Sequence, residues 1–162
     1  MSTLVLGVGD FGASNAADDT IKTYALGSCV AVVLLDPKTR TVGMVHVALP
    51  ESAINKAKVK DKPGYFADTG IPALLSQMSK YGCHPKGQGM IVKLAGGAKI
   101  MDPNDTFNIG KRNALAIKKV LWTLGLGATS EDIGGTYSRT VSVCLRTGEV
   151  VISSPGRTDW KI

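Results

Sequence analysis

Apolar and polar positions change period along the chain, and those changes mark the predicted elements. Leu4 to Gly9 is a short apolar run ending in glycines, which predicts a first strand, and the small, polar residues from Asp10 to Thr20 predict a loop. Cys29 to Leu35 reads Cys-Val-Ala-Val-Val-Leu-Leu. Such a continuous, β-branched run predicts a strand covered on both faces. Asp36-Pro37-Lys38-Thr39 places Asp and Pro at the first two positions of a type I turn, and Thr41 to Leu49 returns as a second strand closed by Pro50. Glu51 to Ala67 shows no apolar period and reads as a long Lys-rich connection.

Asp68 or Thr69 then caps a predicted helix with Pro72 in its first turn. Ile71, Leu74, Leu75, Met78 and Tyr81 share one side of it, and Gly82 stops it. Gly89 to Leu94 predicts another strand before the Gly96-Gly97 pair. Asn108 is the expected cap of a second helix whose apolar side is Leu115, Ile117, Val120, Leu121 and Leu124, with Gly125 at its end. Val141, Val143 and Leu145 alternate with Ser142, Cys144 and Arg146, the period of a half-buried strand. Thr147-Gly148-Glu149 turns that strand into a last one, Val150 to Ser153. Without repeats or a linker, residues 1–162 are expected to form a single α/β domain whose adjacent hairpins make mixed or antiparallel sheets.

Composition narrows the class. The 162 residues are 44% hydrophobic and 20% charged, an ordinary globular mixture that excludes coiled coil, collagen and disorder. No apolar run approaches the roughly 18 residues of a membrane-spanning helix, and the N-terminus lacks the pattern of a secretory signal. Cys29, Cys83 and Cys144 are odd in number and widely spaced, so free thiols in a reducing, cytoplasmic setting are expected. The formal charge is +6. Its carriers are scattered: Lys56, Lys58, Lys60 and Lys62 in one connection, and Lys111, Arg112, Lys118 and Lys119 on the second helix. With no arginine-rich arm and only 6% aromatics, this reads as a solvated surface biased towards an acidic protein partner, not nucleic acid.

Candidate chemistry begins at Cys29. Gly27 and Ser28 deliver it to the start of a buried strand, and such a small-residue turn can expose consecutive backbone N–H groups, as an oxyanion requires. The competing reading is a small buried hydrophobe. A turn centred on Pro37-Lys38 would pair Asp36 with Thr39, Val33 with Val42, Ala31 with Met44 and Cys29 with His46. Opposed side chains stand roughly 4.5–5.5 Å apart at Cβ, within reach of a thiol–imidazole hydrogen bond. A five-residue loop would slip the register by one residue and send His46 to the other face. Beside Cys29, an imidazolium would stabilise thiolate, and His46 would serve as base and acid. Thr23 could orient the imidazole, with Asp68 and Thr69 as competitors. Cys83-His84 has too few neighbours to hold a metal, Cys144 reads as inert packing, and Gly96-Gly97 and Gly134-Gly135 read as tight turns. No cofactor or metal is expected.

Several blocks in order then resemble a known family. Thr23-Tyr-Ala-Leu-Gly-Ser-Cys29, Gly43-Met-Val-His46-Val-Ala-Leu-Pro50, Tyr65-Phe-Ala-Asp-Thr69 with Ile71-Pro-Ala-Leu-Leu75, Leu94-Ala-Gly-Gly-Ala98, Ile109-Gly-Lys-Arg-Asn113 and Glu131 to Thr140 resemble the chemoreceptor glutamine deamidases, CheD. The resemblance implies an α/β sandwich similar to deamidating bacterial toxins. It also implies hydrolysis of glutamine side chains on the cytoplasmic helices of chemoreceptors. In that family a cysteine is nucleophile, a histidine base and a threonine orienting group; the motifs put these on Cys29, His46 and Thr23, with Ser28 and Gly27 as backbone support for the oxyanion. A CheC-type CheY phosphatase is the implied partner, and the protein is not expected to insert in a membrane. Two rivals remain at this stage: a regulatory module that stimulates such a phosphatase with catalysis secondary, and thiol chemistry on another acceptor, by transamidation or ester hydrolysis.

Overall fold

In the computed structural model, residues 2–99 and 107–162 are described. The strands among them are β1 (Thr3–Leu6), β2 (Phe11–Ser14), β3 (Thr20–Leu26), β4 (Val30–Asp36), β5 (Thr41–Val47), β6 (Ile91–Gly96), β7 (Ser130–Ile133), β8 (Arg139–Cys144), β9 (Val150–Ser153) and β10 (Trp160–Lys161). Helices α1 (Lys56–Asp61) and α2 (Ala67–Ser79) lie between β5 and β6, and α3 (Ile109–Thr123) between β6 and β7. One five-stranded sheet has the order β1-β3-β8-β9-β10 and the other β2-β5-β4-β6-β7. Both are mixed: β1 runs parallel to β3 and β6 to β7, and the other neighbours are antiparallel.

Side-chain alternation explains the layering. Ala31, Val33, Met44 and Ala95 of the second sheet face Ile21, Val141, Val143 and Ile152 of the first. The alternate residues Val30, Val32, Leu34, Val45 and Val47 face Ile71, Leu74 and Met78 of α2 and Ile117 and Leu121 of α3. The result is an α/β sandwich of sheet, sheet and helices. Every residue of β4 and β5 is buried, which is why both read as continuous runs. Gly43 permits the close approach of α2, since a Cβ there would stand 2.6 Å from the Met78 sulfur. Gly125 closes α3 as expected: its N–H donates to Trp122 C=O (3.0 Å) and that of Leu126 to Leu121 C=O (2.8 Å), a Schellman end.

The structure corrects several sequence expectations. The loop expected from Asp10 to Thr20 contains β2, whose Phe-Gly-Ala-Ser is too short and small to show a period. β3 was invisible because Thr and Lys occupy a strand in which Ile21 and Thr23 are nevertheless buried. The Glu51 to Ala67 connection holds α1 and two 3-10 turns, Ser52–Ile54 and Pro63–Tyr65. α2 starts at Ala67 with Phe66 as its cap, so neither Asp68 nor Thr69 caps it. Asp68 instead accepts from the Ser52 N–H (3.0 Å) and hydroxyl (2.7 Å), and Thr69 donates to the Pro63 carbonyl, so both fasten the connection. Asn108 is the N-cap residue of α3 as expected, in a left-handed conformation and with no side-chain cap bond, whereas Leu115 is 57% exposed, off the apolar side.

Candidate active site

The β4–β5 turn holds four residues, Pro37 to Arg40, where two were expected, and Asp36 pairs with Thr41. His46 therefore opposes Ala31, not Cys29. The displacement is by an even number of positions, so the faces are kept: Cys29 packs against the same inter-sheet cluster as Ala31, Val33 and Met44. The ladder ends at Val30 and Val47, and Cys29 stands just beyond it, diagonal to His46.

Thr23 reaches this point from the facing sheet. Its hydroxyl donates to the Leu6 carbonyl (2.8 Å) and lies 2.7 Å from His46 Nδ1. A hydroxyl has one proton, and a carbonyl can only accept. Thr23 Oγ1 must therefore accept from Nδ1–H, which leaves the lone pair of His46 on Nε2. Thr23 is fully buried and His46 is 2% exposed. Nε2 is itself buried with no hydrogen-bond partner among the described residues. A hydroxyl engaged on one side and an unengaged lone pair on the other leave an imidazole able to accept a proton at Nε2.

The electrostatics differ from the expected thiolate–imidazolium pair. Burial lowers the His46 pKa to about 4, Asp10 opposing and Lys62 assisting. Burial also pushes the Cys29 thiol up, with its own backbone N–H opposing. Near neutral pH both groups are thus uncharged. Asp10 adjoins the site through its carbonyl, which accepts from the His46 N–H (3.0 Å). Its carboxylate accepts from Gly7 N–H (2.8 Å) and pairs with Lys62 (3.0 Å), and both hold its pKa down.

The segment before β4 is pinned by its carbonyls. Gly27 C=O accepts from Ala98 N–H (2.8 Å), Ser28 C=O from Asn113 Nδ2 (3.0 Å) and Cys29 C=O from Gly97 N–H (2.8 Å). No N–H of Gly27, Ser28 or Cys29 donates to the backbone of another described residue. Gly96 makes the approach possible. It adopts φ 123°, and a Cβ there would lie 2.2 Å from the Cys29 oxygen. The Gly96-Gly97 pair, read only as a tight turn, is thus the wall against which the Cys29 segment is set.

Of the remaining candidates, Asp68 and Thr69 are occupied with Ser52 and Pro63 and do not orient the imidazole. Cys83 is buried against Thr39 (3.3 Å), while His84 points to solvent and accepts from Lys86 N–H (3.0 Å). No group of three metal-capable side chains exists among the described residues. Cys144 is not simple packing: it is half-buried, and hydrogen bonds from the Thr147 hydroxyl and N–H hold its thiol below the ordinary value. It has no histidine beside it. Sequence reasoning missed Asp10, Lys62 and the tie made by Asn113, whose only trace was a place in a shared block.

Residues 48–154 match the family described as CheD, chemotactic sensory transduction. A protein of Syntrophotalea carbinolica named a probable chemoreceptor glutamine deamidase CheD is 56% identical over 162 residues, covering all of both chains. A similarly named relative from Syntrophus aciditrophicus is 41% identical over 156 residues, 96% of each chain. Another, from Methanococcus maripaludis, is 38% identical over 146 residues, 90% of each. The family match starts beyond Thr23, Cys29 and His46, whereas the full-length relative spans all three. No helix among the described residues is long and apolar enough to cross a membrane.

Proposed function

The chain belongs to the CheD family, and from that premise we propose that it is a protein-glutamine deamidase acting on the cytoplasmic helices of chemoreceptors, converting glutamine side chains to glutamate and releasing ammonia. The observation that carries the mechanism is the Thr23–His46 hydrogen bond, which leaves a buried Nε2 lone pair on the face shared with Cys29.

Cys29 Sγ attacks the glutamine Cδ as His46 Nε2 takes the thiol proton. The carbonyl π pair moves to oxygen, and the N–H groups of Gly27, Ser28 and Cys29 are the donors at hand for that oxyanion. Collapse re-forms the carbonyl and breaks the C–N bond, while the imidazolium returns its proton to the departing nitrogen as ammonia. Water, deprotonated by Nε2, then attacks the thioester; collapse expels the thiolate, which recovers the proton from His46. Throughout, Thr23 keeps Nδ1–H engaged and stabilises the imidazolium that forms transiently. A neutral imidazole of pKa about 4 is a weak base, but it is always available at neutral pH. The scheme needs no cofactor.

The family resemblance also supports a cytoplasmic location and a CheC-type CheY phosphatase as partner, the latter tested by co-elution of the two purified proteins. The reaction itself is tested by incubating a purified chemoreceptor cytoplasmic fragment with wild type and with Cys29→Ala, followed by peptide mass spectrometry. Glutamine-to-glutamate conversion at defined positions is expected with wild type only. Equal conversion by Cys29→Ala, or none by either protein, would overturn the proposal.

A further inference from the structure

The β4–β5 ladder stops at Val30 and Val47, and the next rung would join Cys29 to Ala48. That rung is absent from the ladder; a side chain of α3 takes its place. Asn113 is fully buried, and its Nδ2 donates to Ser28 C=O (3.0 Å) and to Ala48 C=O (3.0 Å). One carbonyl immediately precedes the nucleophile, and the other follows His46 by two residues. The orientation of the amide is dictated by its partners, since the opposite flip would set Oδ1 against two carbonyls. Oδ1 is buried with no partner among the described residues, so the side chain bears an unsatisfied acceptor in order to place its two donors. The helix that carries it is itself tightly seated: a Cβ on Gly110 would lie 2.5 Å from the Gly97 carbonyl oxygen. Gly97 in turn holds the Cys29 carbonyl.

We infer that Asn113 is a positioning residue: its amide bridges the splayed ends of β4 and β5 and sets the distance between the Cys29 thiol and the His46 base. This rests on the deamidase reading for its kinetic consequence, though not for its geometry. Two donors on one planar group fix a separation that a single ladder bond would leave free to close. Without them both carbonyls lose their partners among the described residues, and the Cys29 segment keeps its ties to Gly97 and Ala98.

The test uses the full-length chain as Asn113→Ala and Asn113→Ser, with Leu121→Ala, a buried residue of the same helix, as the control for general loosening. Three quantities are read: the melting temperature, kcat and KM on a glutamine-bearing chemoreceptor fragment, and the iodoacetamide alkylation rate of Cys29 resolved by peptide mass spectrometry. In whichever Asn113 variants fold, kcat is expected to fall roughly 10- to 100-fold with KM within about twofold, as for a small misplacement of reacting groups. Cys29 alkylation slows by a comparable factor, while that of Cys144 is unchanged. Leu121→Ala lowers the melting temperature but leaves kcat and Cys29 alkylation within about twofold of wild type. The inference is overturned if the Asn113 variants change kcat or Cys29 alkylation no more than Leu121→Ala does. If wild type deamidates nothing, the functional proposal fails, and the alkylation comparison alone still decides the role of Asn113.

Discussion

Thr23→Val removes one hydroxyl and keeps the shape of a fully buried side chain. Two hydrogen bonds disappear, the 2.8 Å bond to Leu6 C=O and the 2.7 Å bond from His46 Nδ1–H. Each leaves a buried polar group unpaired at about 1–3 kcal/mol, offset by the extra methyl at about 0.8 kcal/mol. A net loss of stability of about 1–5 kcal/mol follows. The kinetic loss has a different origin. In the proposed mechanism His46 becomes an imidazolium in the transition state, and a hydrogen bond to a charged group contributes about 1.5–3 kcal/mol. Each 1.36 kcal/mol is a factor of about ten, so kcat should fall roughly 10- to 150-fold. Ammonia release from a chemoreceptor fragment, measured beside urea unfolding, separates the two effects, and Thr23→Ser should recover most of the activity. If Thr23→Val loses stability yet keeps kcat within about twofold of wild type, Thr23 is only a structural bond and the tautomer argument is wrong.

Stability should depend on pH through His46. Its folded pKa of about 4 lies below the ordinary 6.5, so the unfolded chain binds the extra proton between those values. Stability from this group is complete above pH 6.5 and declines as pH falls towards 4, by about 3 kcal/mol at pH 4; urea midpoints of wild type and His46→Gln should converge or cross over that window. The activity profile follows the same group: kcat/KM should show no acid limb near 6.5 and should hold from pH 6 to 8, because His46 stays neutral and the raised Cys29 thiol stays protonated. An acid limb centred near 6.5 in a pH–rate series would contradict the neutral pair. Gly96→Ala would force a Cβ to 2.2 Å from the Cys29 oxygen at φ 123°, and should destabilise the fold by about 2 kcal/mol or more with loss of deamidation; a melting curve and turnover matching wild type would show that the wall can move.

The sequence disclosed the strands that are apolar on both faces and the helix with a regular apolar side, since burial writes a period into those residues. It hid β3, although β3 carries Thr23, because a strand that includes Thr20, Lys22 and Thr23 shows no clear apolar alternation. The Cys29–His46 proximity was legible only in its parity. The turn is two residues longer than expected, so the opposed partner is Ala31, yet an even shift keeps both side chains between the sheets. The charge state was not legible, because neutralising both groups is a consequence of burial contributed by residues far away in sequence. Asn113 was beyond reach for the same reason: its bonds go to backbone atoms at Ser28 and Ala48, and backbone acceptors leave no mark on residue identity.

Cys29, activated by His46, is proposed to carry the reaction as a thioester. Wild type mixed with a chemoreceptor fragment, acid-quenched within the first turnover and digested at low pH, reports it by mass spectrometry of the three cysteine peptides. A substrate adduct is expected on the Cys29 peptide, cleaved by hydroxylamine, with none on Cys83 or Cys144. Turnover accompanied by an adduct on Cys144, or by no adduct on Cys29 under any quench time, would contradict it.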